Sequence, residues 1–145
     1  MPHPVERAFP NLVRSGYAIT SPHDPNYNCI AWAAADTSRF WWPTPFSYWP
    51  AGVPRELTLA AFEEAFRNLG YDSCNDGDLE EGFEKIALYA KDGVPTHMAR
   101  QLESGAWTSK LGPAEDIRHG DVAGVAGSIY GSVVGYFRRV RVTAA

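Results

Sequence analysis

The sequence predicts a single α+β domain in which a short helix carrying Cys29 packs on a small antiparallel sheet. Two patterns support this class. Apolar residues recur at helical spacing from Leu59 to Leu69, with Thr58 as a cap before them and Gly70 after them. Later segments instead alternate apolar and polar residues and are separated by turn residues, which is typical of neighbouring strands.

Length and composition narrow the class of protein. A chain of 145 residues with 45% hydrophobic residues can bury a core without disulfides or metal. A net charge of -4 lacks the basic surface that nucleic-acid binding requires. There is no apolar run long enough to span a bilayer and no signal-peptide core. We therefore expect no nucleic-acid or membrane partner and a cytoplasmic location, with signal-less export left open; the oligomeric state stays undetermined.

The N-terminal segment is rich in proline. Five prolines interrupt regular structure there, at Pro2, Pro4, Pro10, Pro22 and Pro25. We predict an extended arm over residues 1–25, followed by one domain over residues 26–145.

The stretch from Asn26 to Asp36 contains the candidate nucleophile. Asn26 or Asn28 can cap a helix whose first turn includes Cys29. Unpaired N–H groups and the helix dipole would lower the pKa of the thiol there, and the thiolate is the nucleophilic form. Two alternatives stay open: Cys29 is a small buried residue at a helix start, or it forms a disulfide with Cys74.

Residues 39–50 follow directly and contain six aromatic residues and three prolines. Such a segment is neither a regular helix nor a central strand, so an ordered aromatic loop is predicted. Its rings either fill the core or form the wall of a groove beside the thiol. In the second interpretation, the tryptophans of the chain line a substrate groove: Trp32, Trp41, Trp42, Trp49 and Trp107.

The remaining elements follow in chain order. We predict an acidic loop over residues 72–82, strands over 83–89, 94–102 and 106–111, a short helix over 113–119, and a closing strand over 132–142. Asp92 and Gly93 form a turn between the first two of these strands.

His97 is the candidate base, since a nucleophilic cysteine needs an imidazole to take its proton. A histidine near a turn can also be structural. The connection Glu103-Ser104-Gly105 fits a three-residue hairpin loop, which pairs Leu102 with Ala106 and brings Ser109 within reach of His97.

Other groups could orient the imidazole. A two-residue turn would shift the register and present Thr108 and Lys110 instead of Ser109. Asp116 and Asp121 are possible carboxylates from the loop beyond.

An acyl-transfer reaction also needs donors for the oxyanion. The Cys29 N–H group is one candidate, and the side-chain amide of Asn28 or Asn26 is the second. Both asparagines could instead serve only as caps. This chemistry needs no metal and no cofactor, so neither is predicted.

Several motifs together resemble an uncharacterised bacterial family of papain-like cysteine hydrolase domains, related to the NlpC/P60 and CHAP groups. They are Asn-Cys-Ile-Ala-Trp-Ala from Asn28, Thr-His-Met-Ala-Arg-Gln from Thr96, and Trp-Thr-Ser-Lys-Leu-Gly from Trp107. The resemblance implies a papain-like fold with Cys29 starting a helix and His97 starting a strand. The third position departs from the usual His, Asn, Asp or Gln.

We therefore predict a cysteine hydrolase or acyltransferase acting on an amide or ester, with a peptide or protein substrate. Cys29 attacks, His97 moves the proton and Ser109 orients the ring, while Asn28 helps to bind the oxyanion. The alternative is a non-catalytic module of the same fold that binds peptide or protein through its aromatic loop.

Overall fold

The computed structural model describes residues 4–21, 26–111 and 115–141, which form a mixed α+β structure. Its helices are α1 (Pro4–Ala8), α2 (Leu12–Ser15), α3 (Cys29–Ala33) and α4 (Leu59–Arg67), with a 3₁₀ helix at Val122–Val125. Its strands are β1 (Tyr17–Ser21), β2 (Asp72–Cys74), β3 (Phe83–Lys91), β4 (Val94–Gln101), β5 (Trp107–Lys110), β6 (Asp116–His119) and β7 (Ser132–Val140). The predicted α+β class is confirmed.

The described strands form one antiparallel sheet in the order β1-β6-β5-β4-β3-β7-β2. Strands β3 and β4 join through Asp92 and Gly93, whose φ angles of 53° and 79° are those of the tight hairpin turn that matches strand twist. Strand β3 also pairs along its length with β7, so it lies inside the sheet.

The β4–β5 hairpin has the predicted three-residue register. The Leu102 N–H group donates to the Ala106 carbonyl at 2.8 Å, and Arg100 pairs with Thr108. Gly105 adopts a φ of 94°, the left-handed conformation that the last residue of such a loop requires. The two-residue alternative is therefore wrong.

Both faces of the sheet are covered. Alternate residues of the central strands face two separate apolar clusters. The first cluster combines α3, α4 and the aromatic loop with Ile86, Leu88 and Met98. The second combines α1 and α2 with Ala87, Tyr89 and Ala99. Most polar residues of β4 and β5 are consequently buried on one face or the other: His97, Gln101, Thr108, Ser109 and Lys110.

Helix α4 forms as its pattern predicts. Thr58 Oγ1 accepts a hydrogen bond from the Ala61 N–H group at 3.2 Å, and Phe62 and Phe66 are fully buried on one side of the helix. Gly70, with a φ of 94°, follows the last turn. In the described part of the chain, every helix is too short or too polar to cross a membrane.

The N-terminal segment differs from its predicted extended conformation. Residues 4–15 are largely helical, and Val5, Phe9 and Leu12 are buried against the second face of the sheet. Their apolar side chains cover surface that water would otherwise contact, and this burial outweighs the weak helix propensity of a segment broken by prolines. Strand β1 is extended and pairs with β6. Residues 1–3 and 22–25 lie outside the described residues.

Two later predictions also need correction. Residues 116–119 form strand β6 instead of a helix, because β1 and β5 pair with both of its edges. Residues 72–74 of the predicted acidic loop form strand β2, which pairs with β7. Residues 112–114 lie outside the described residues.

If α2 is part of the core, Leu12→Ala should lower the free energy of unfolding by about 2–5 kcal/mol, because it leaves a cavity at a fully buried position. Val13 on the same helix is 67% exposed, so Val13→Ala should change stability by less than about 0.5 kcal/mol. Urea denaturation of the two variants measures both effects. Equal effects would show that α2 does not pack on the sheet.

Candidate functional site

Cys29 is the first residue of α3, and Asn28 caps this helix. Asn28 Oδ1 accepts hydrogen bonds from the N–H groups of Ala31 and Trp41, each at 3.1 Å, and Nδ2 donates to the Trp41 carbonyl at 2.9 Å. The amide thus joins the helix start to the aromatic loop. Capping by Asn28 is confirmed, whereas its oxyanion role stays a prediction.

A pocket of about 320 Å³ opens beside Cys29. It is lined by Asn28, Cys29, Phe40, Trp42, Ser47, Thr96 and Tyr130. Its wall therefore combines three aromatic rings with the polar side chains of Asn28, Ser47 and Thr96. Such a mixture is typical of a site for a small group or a side chain.

Burial raises the pKa of the Cys29 thiol to about 11. The backbone N–H groups of Met98 and Ile30 and the charge of Lys110 oppose this increase, but burial outweighs them. The expected lowering of the pKa is therefore wrong. Helix α3 has only five residues, so its dipole is small, and the thiol is protonated at neutral pH.

Among the predicted groove residues, Trp42 lines this pocket. Trp41 and Trp49 lie in the core instead. The Trp41 ring packs 6.3 Å from Phe66 and its Nε1 donates to Asp36, while the Trp49 ring lies 5.1 Å from Phe62. Trp41 and Trp49 are 4% and 3% exposed, so both rings are part of the core beside α4.

The other two tryptophans also lie away from the pocket. The Trp32 ring is 4.8 Å from the Arg100 guanidinium and 6.1 Å from the Tyr27 ring. Trp107 belongs to the second cluster and packs 6.2 Å from Tyr136 on the opposite face of the sheet. The sequence could not assign these faces, because both faces are covered.

His97 lies at one end of a buried chain of hydrogen bonds. Its Nε2 is 2.9 Å from Ser109 Oγ, which is 2.8 Å from His119 Nε2. His119 Nδ1 is in turn 2.7 Å from the Asp121 carbonyl oxygen. The predicted contact of Ser109 with His97 is confirmed. Asp121 reaches the network through its backbone, since its carboxylate accepts from the Gly124 N–H group.

This arrangement fixes the position of each proton. Burial lowers the pKa of His97 and His119, so both rings are neutral at pH 7. A carbonyl only accepts, so His119 Nδ1 carries a proton and its Nε2 accepts from Ser109. The Ser109 oxygen then accepts from the Nε2–H group of His97. His97 Nδ1 is left with a lone pair.

The His97 ring does not hydrogen-bond to Cys29. Among the described residues, His97 Nδ1 has no hydrogen-bond partner. The ring belongs to the second face of the sheet, where it contacts Tyr89, whereas Cys29 packs with Met98 on the first face. The Met98 N–H group favours the thiolate of Cys29, so the sulfur lies beside β4 one residue from His97.

Tyr130 connects these two residues. Its ring stacks on His97 with centroids 4.0 Å apart and an interplanar angle of 8°, and it also lines the Cys29 pocket. Thr96 Oγ1 donates to the Tyr130 carbonyl at 2.5 Å. The loop ends at Gly131, where an added Cβ would lie 2.1 Å from the Ala90 carbonyl oxygen, so a side chain is excluded there.

A second buried polar group lies on the Cys29 face of the sheet. Lys110 is fully buried and its Nζ lies 4.9 Å from the centre of the Tyr27 ring. The Tyr27 hydroxyl donates to Asp116 Oδ2 at 2.6 Å. Strand alternation contained the signal for Lys110, since a neighbour of Ser109 must point to the other face. His119 and Tyr130 carried no comparable signal.

Comparison with known proteins gives a family for the chain. A family model described as a domain of unknown function, DUF7689, matches residues 18–138. The chain belongs to this family. No curated protein and no solved structure matches it. The matched region of this DUF7689 member includes His97, Ser109 and Lys110, together with Cys29 and Cys74, which are both free thiols.

The two neutral histidines should make stability depend on pH. Their pKa values are lower in the folded chain than in the unfolded chain, so acid protonates the unfolded chain first. Stability is then complete above about pH 6.5 and is lost below it, by up to about 1.4 kcal/mol per pH unit for each histidine. Urea denaturation between pH 7.5 and 5 measures the slope. His97→Gln should make the slope shallower, and an unchanged slope would contradict the assignment.

Proposed function

We propose that this DUF7689 chain is a cysteine hydrolase or acyltransferase of papain-like type, related to the NlpC/P60 and CHAP groups, acting on an amide or ester. The supporting observation is the order of hydrogen bonds at His97. Ser109 and His119 hold its Nε2–H group, and this leaves Nδ1 as a proton acceptor beside the strand residue that faces the Cys29 sulfur. A base held in this tautomer is what thiol activation requires.

The reaction would proceed in two halves. The Cys29 thiol gives its proton to His97 Nδ1 while the sulfur attacks the substrate carbonyl carbon. The bond to the leaving group breaks, and the leaving amine or alcohol takes the proton from the imidazolium. Water or another acceptor then attacks the thioester, passes its proton through His97, and releases the acyl group and the thiol.

Tyr130 has to move for this reaction to begin. Its ring covers His97, and the thiol is buried, so the described conformation is a closed one. A substrate group entering between Phe40 and Trp42 would displace the Tyr130 ring and uncover Nδ1. The start of β4 would also have to turn, because Nδ1 must pass from the second face of the sheet to within reach of the sulfur. The aromatic lining favours substrates with an apolar group next to the reacting carbonyl.

The ester p-nitrophenyl acetate provides a direct test. Attack by Cys29 would release p-nitrophenolate and leave an acetyl thioester, which peptide mass spectrometry locates. We expect acetylation of Cys29 in the wild-type chain and none at this position in Cys29→Ala. His97→Gln should slow acetylation at least about a hundredfold, the usual contribution of a general base.

Cys74→Ser is the matched control. In this variant Cys29 should be acetylated at the wild-type rate, because Cys74 lies on strand β2 and not at the start of α3. An unmodified Cys29, or equal acetylation of the wild type and His97→Gln, would overturn the hydrolase. The protonated state of the thiol favours a second candidate, a binding module of the same fold that holds a peptide in the aromatic pocket. If the chain is such a binding module, p-nitrophenyl acetate leaves Cys29 unmodified or acetylates it equally in the wild type and in His97→Gln.

A further inference from the structure

The buried lysine on the Cys29 face has no part in the reaction as described so far. Lys110 is 0% exposed, which is unusual for a lysine, because removal of an ammonium group from water is costly. Such a group is kept where its charge has a partner or a task. Its position relative to Cys29 indicates the task.

Two separate features place Lys110 beside Cys29. The first is strand register. Arg100 pairs with Thr108, and the same register continued by two residues puts Lys110 across from Met98. The Met98 N–H group is also one of the groups that favour the thiolate of Cys29. Both residues face the cluster that contains α3.

The second feature is Tyr27, which lies two residues before Cys29. The Lys110 ammonium lies 4.9 Å from the centre of the Tyr27 ring, which is a cation–π contact. Its hydroxyl donates to Asp116, which pairs directly with Lys110 in the β5–β6 register. Helix α3 packs on both β4 and β5, so the start of this helix and the lysine lie on the same face of the sheet.

We propose that Lys110 is a positioning residue for the reaction of Cys29: its buried ammonium, placed by Tyr27 and Asp116, stabilises negative charge on the sulfur. This inference deepens the proposed function and rests on it only for the later steps, because thiolate stabilisation is a property of the free protein. Lys110 also supplies positive charge near the sulfur, which His97 does not supply because burial keeps that histidine neutral.

The electrostatic effect of Lys110 on Cys29 has the same direction as this placement implies. Lys110 lowers the pKa of the Cys29 thiol, although burial raises it further. The titratable groups described around Cys29 come from five parts of the fold: Lys110 on β5, His97 on β4, Asp116 on β6, Tyr27 before α3, and Tyr130 on its loop. His97 is neutral, and Lys110 is the cation whose charge favours the thiolate of Cys29. Arg100 on β4 is a second cation on this face, but it lies over the Trp32 ring and donates to the Trp32 carbonyl of α3.

The chain contains a matched control in Lys85. Its side chain is also almost fully buried, but it pairs with Asp76 and Glu80 on another part of the sheet. Its charge lowers the pKa of Cys74, which burial raises. Each cysteine therefore has one buried lysine, and the two pairs can be tested against each other in one molecule.

The experiment measures alkylation of both cysteines by iodoacetamide, followed by peptide mass spectrometry. We expect Lys110→Met to slow the reaction of Cys29 about tenfold at a given pH, because less of the thiol is ionised, and to leave Cys74 unchanged. Lys85→Met should slow Cys74 and leave Cys29 unchanged. Lys110→Arg keeps the charge and should retain most of the wild-type rate at Cys29.

A charged reagent separates electrostatics from access. Iodoacetate is anionic, so a nearby ammonium accelerates it relative to the neutral iodoacetamide, and this ratio cancels changes in exposure. Lys110→Met should lower the iodoacetate-to-iodoacetamide ratio at Cys29 by about threefold or more. If this variant does not fold, Lys110→Met with Asp116→Asn removes both buried charges, and Tyr27→Phe loosens their placement while keeping the ring.

The inference would be overturned if the iodoacetate-to-iodoacetamide ratio at Cys29 were unchanged in Lys110→Met or in the double variant. It would also be overturned if Lys85→Met lowered the ratio at Cys29 by the same factor as Lys110→Met. The result is independent of the hydrolase proposal. If p-nitrophenyl acetate leaves Cys29 unmodified while the alkylation ratio still depends on Lys110, the hydrolase is wrong and the inference stands. If acetylation depends on His97 but the alkylation ratio is the same with and without Lys110, the inference about Lys110 is wrong and the hydrolase proposal stands.

Discussion

Burial of both faces of the central strands is the constraint on which the rest of this structure depends. A sheet covered on one side can direct its polar residues to water, but most polar residues of β4 and β5 are buried on one face or the other. Each polar side chain on them must find a partner inside the protein or cost stability. On one face the solution is the hydrogen-bonded series of His97, Ser109 and His119, and on the other it is Lys110 beside Tyr27.

The candidate site therefore consists of two halves separated by one strand. The neutral imidazoles provide a proton acceptor on the second face, and the ammonium provides positive charge on the first. Cys29 lies on the same face as the ammonium, and Tyr130 lies against both the imidazole and the pocket. Neither half alone would suit a cysteine nucleophile, since a buried thiol needs both a base and a compensating charge.

Local signals in the sequence were sufficient for the hairpins, helix α4 and the Asn28 cap. The three-residue loop at Gly105 even determined the contact between Ser109 and His97, because hairpin register follows from loop length. The N-terminal helices and β6 depend on distant partners, which no local pattern reports. The tryptophans could not be assigned to the groove or the core for a related reason. Hydrophobicity predicts that Trp41 and Trp49 are buried, but it does not predict that they pack against α4.

The pairing of β3 with β7 has a consequence for how this chain acquires its structure. Strand β3 is complete at Lys91, but one of its two long edges stays open until residues 132–140 are available to pair with it. Strand β1 likewise cannot pair until β6 is available, since Tyr17 pairs with His119, about a hundred residues later in the chain. Such distant pairings slow folding and leave apolar strand edges exposed meanwhile. During synthesis, the part of the chain up to Lys91 is therefore the part that most needs protection from aggregation.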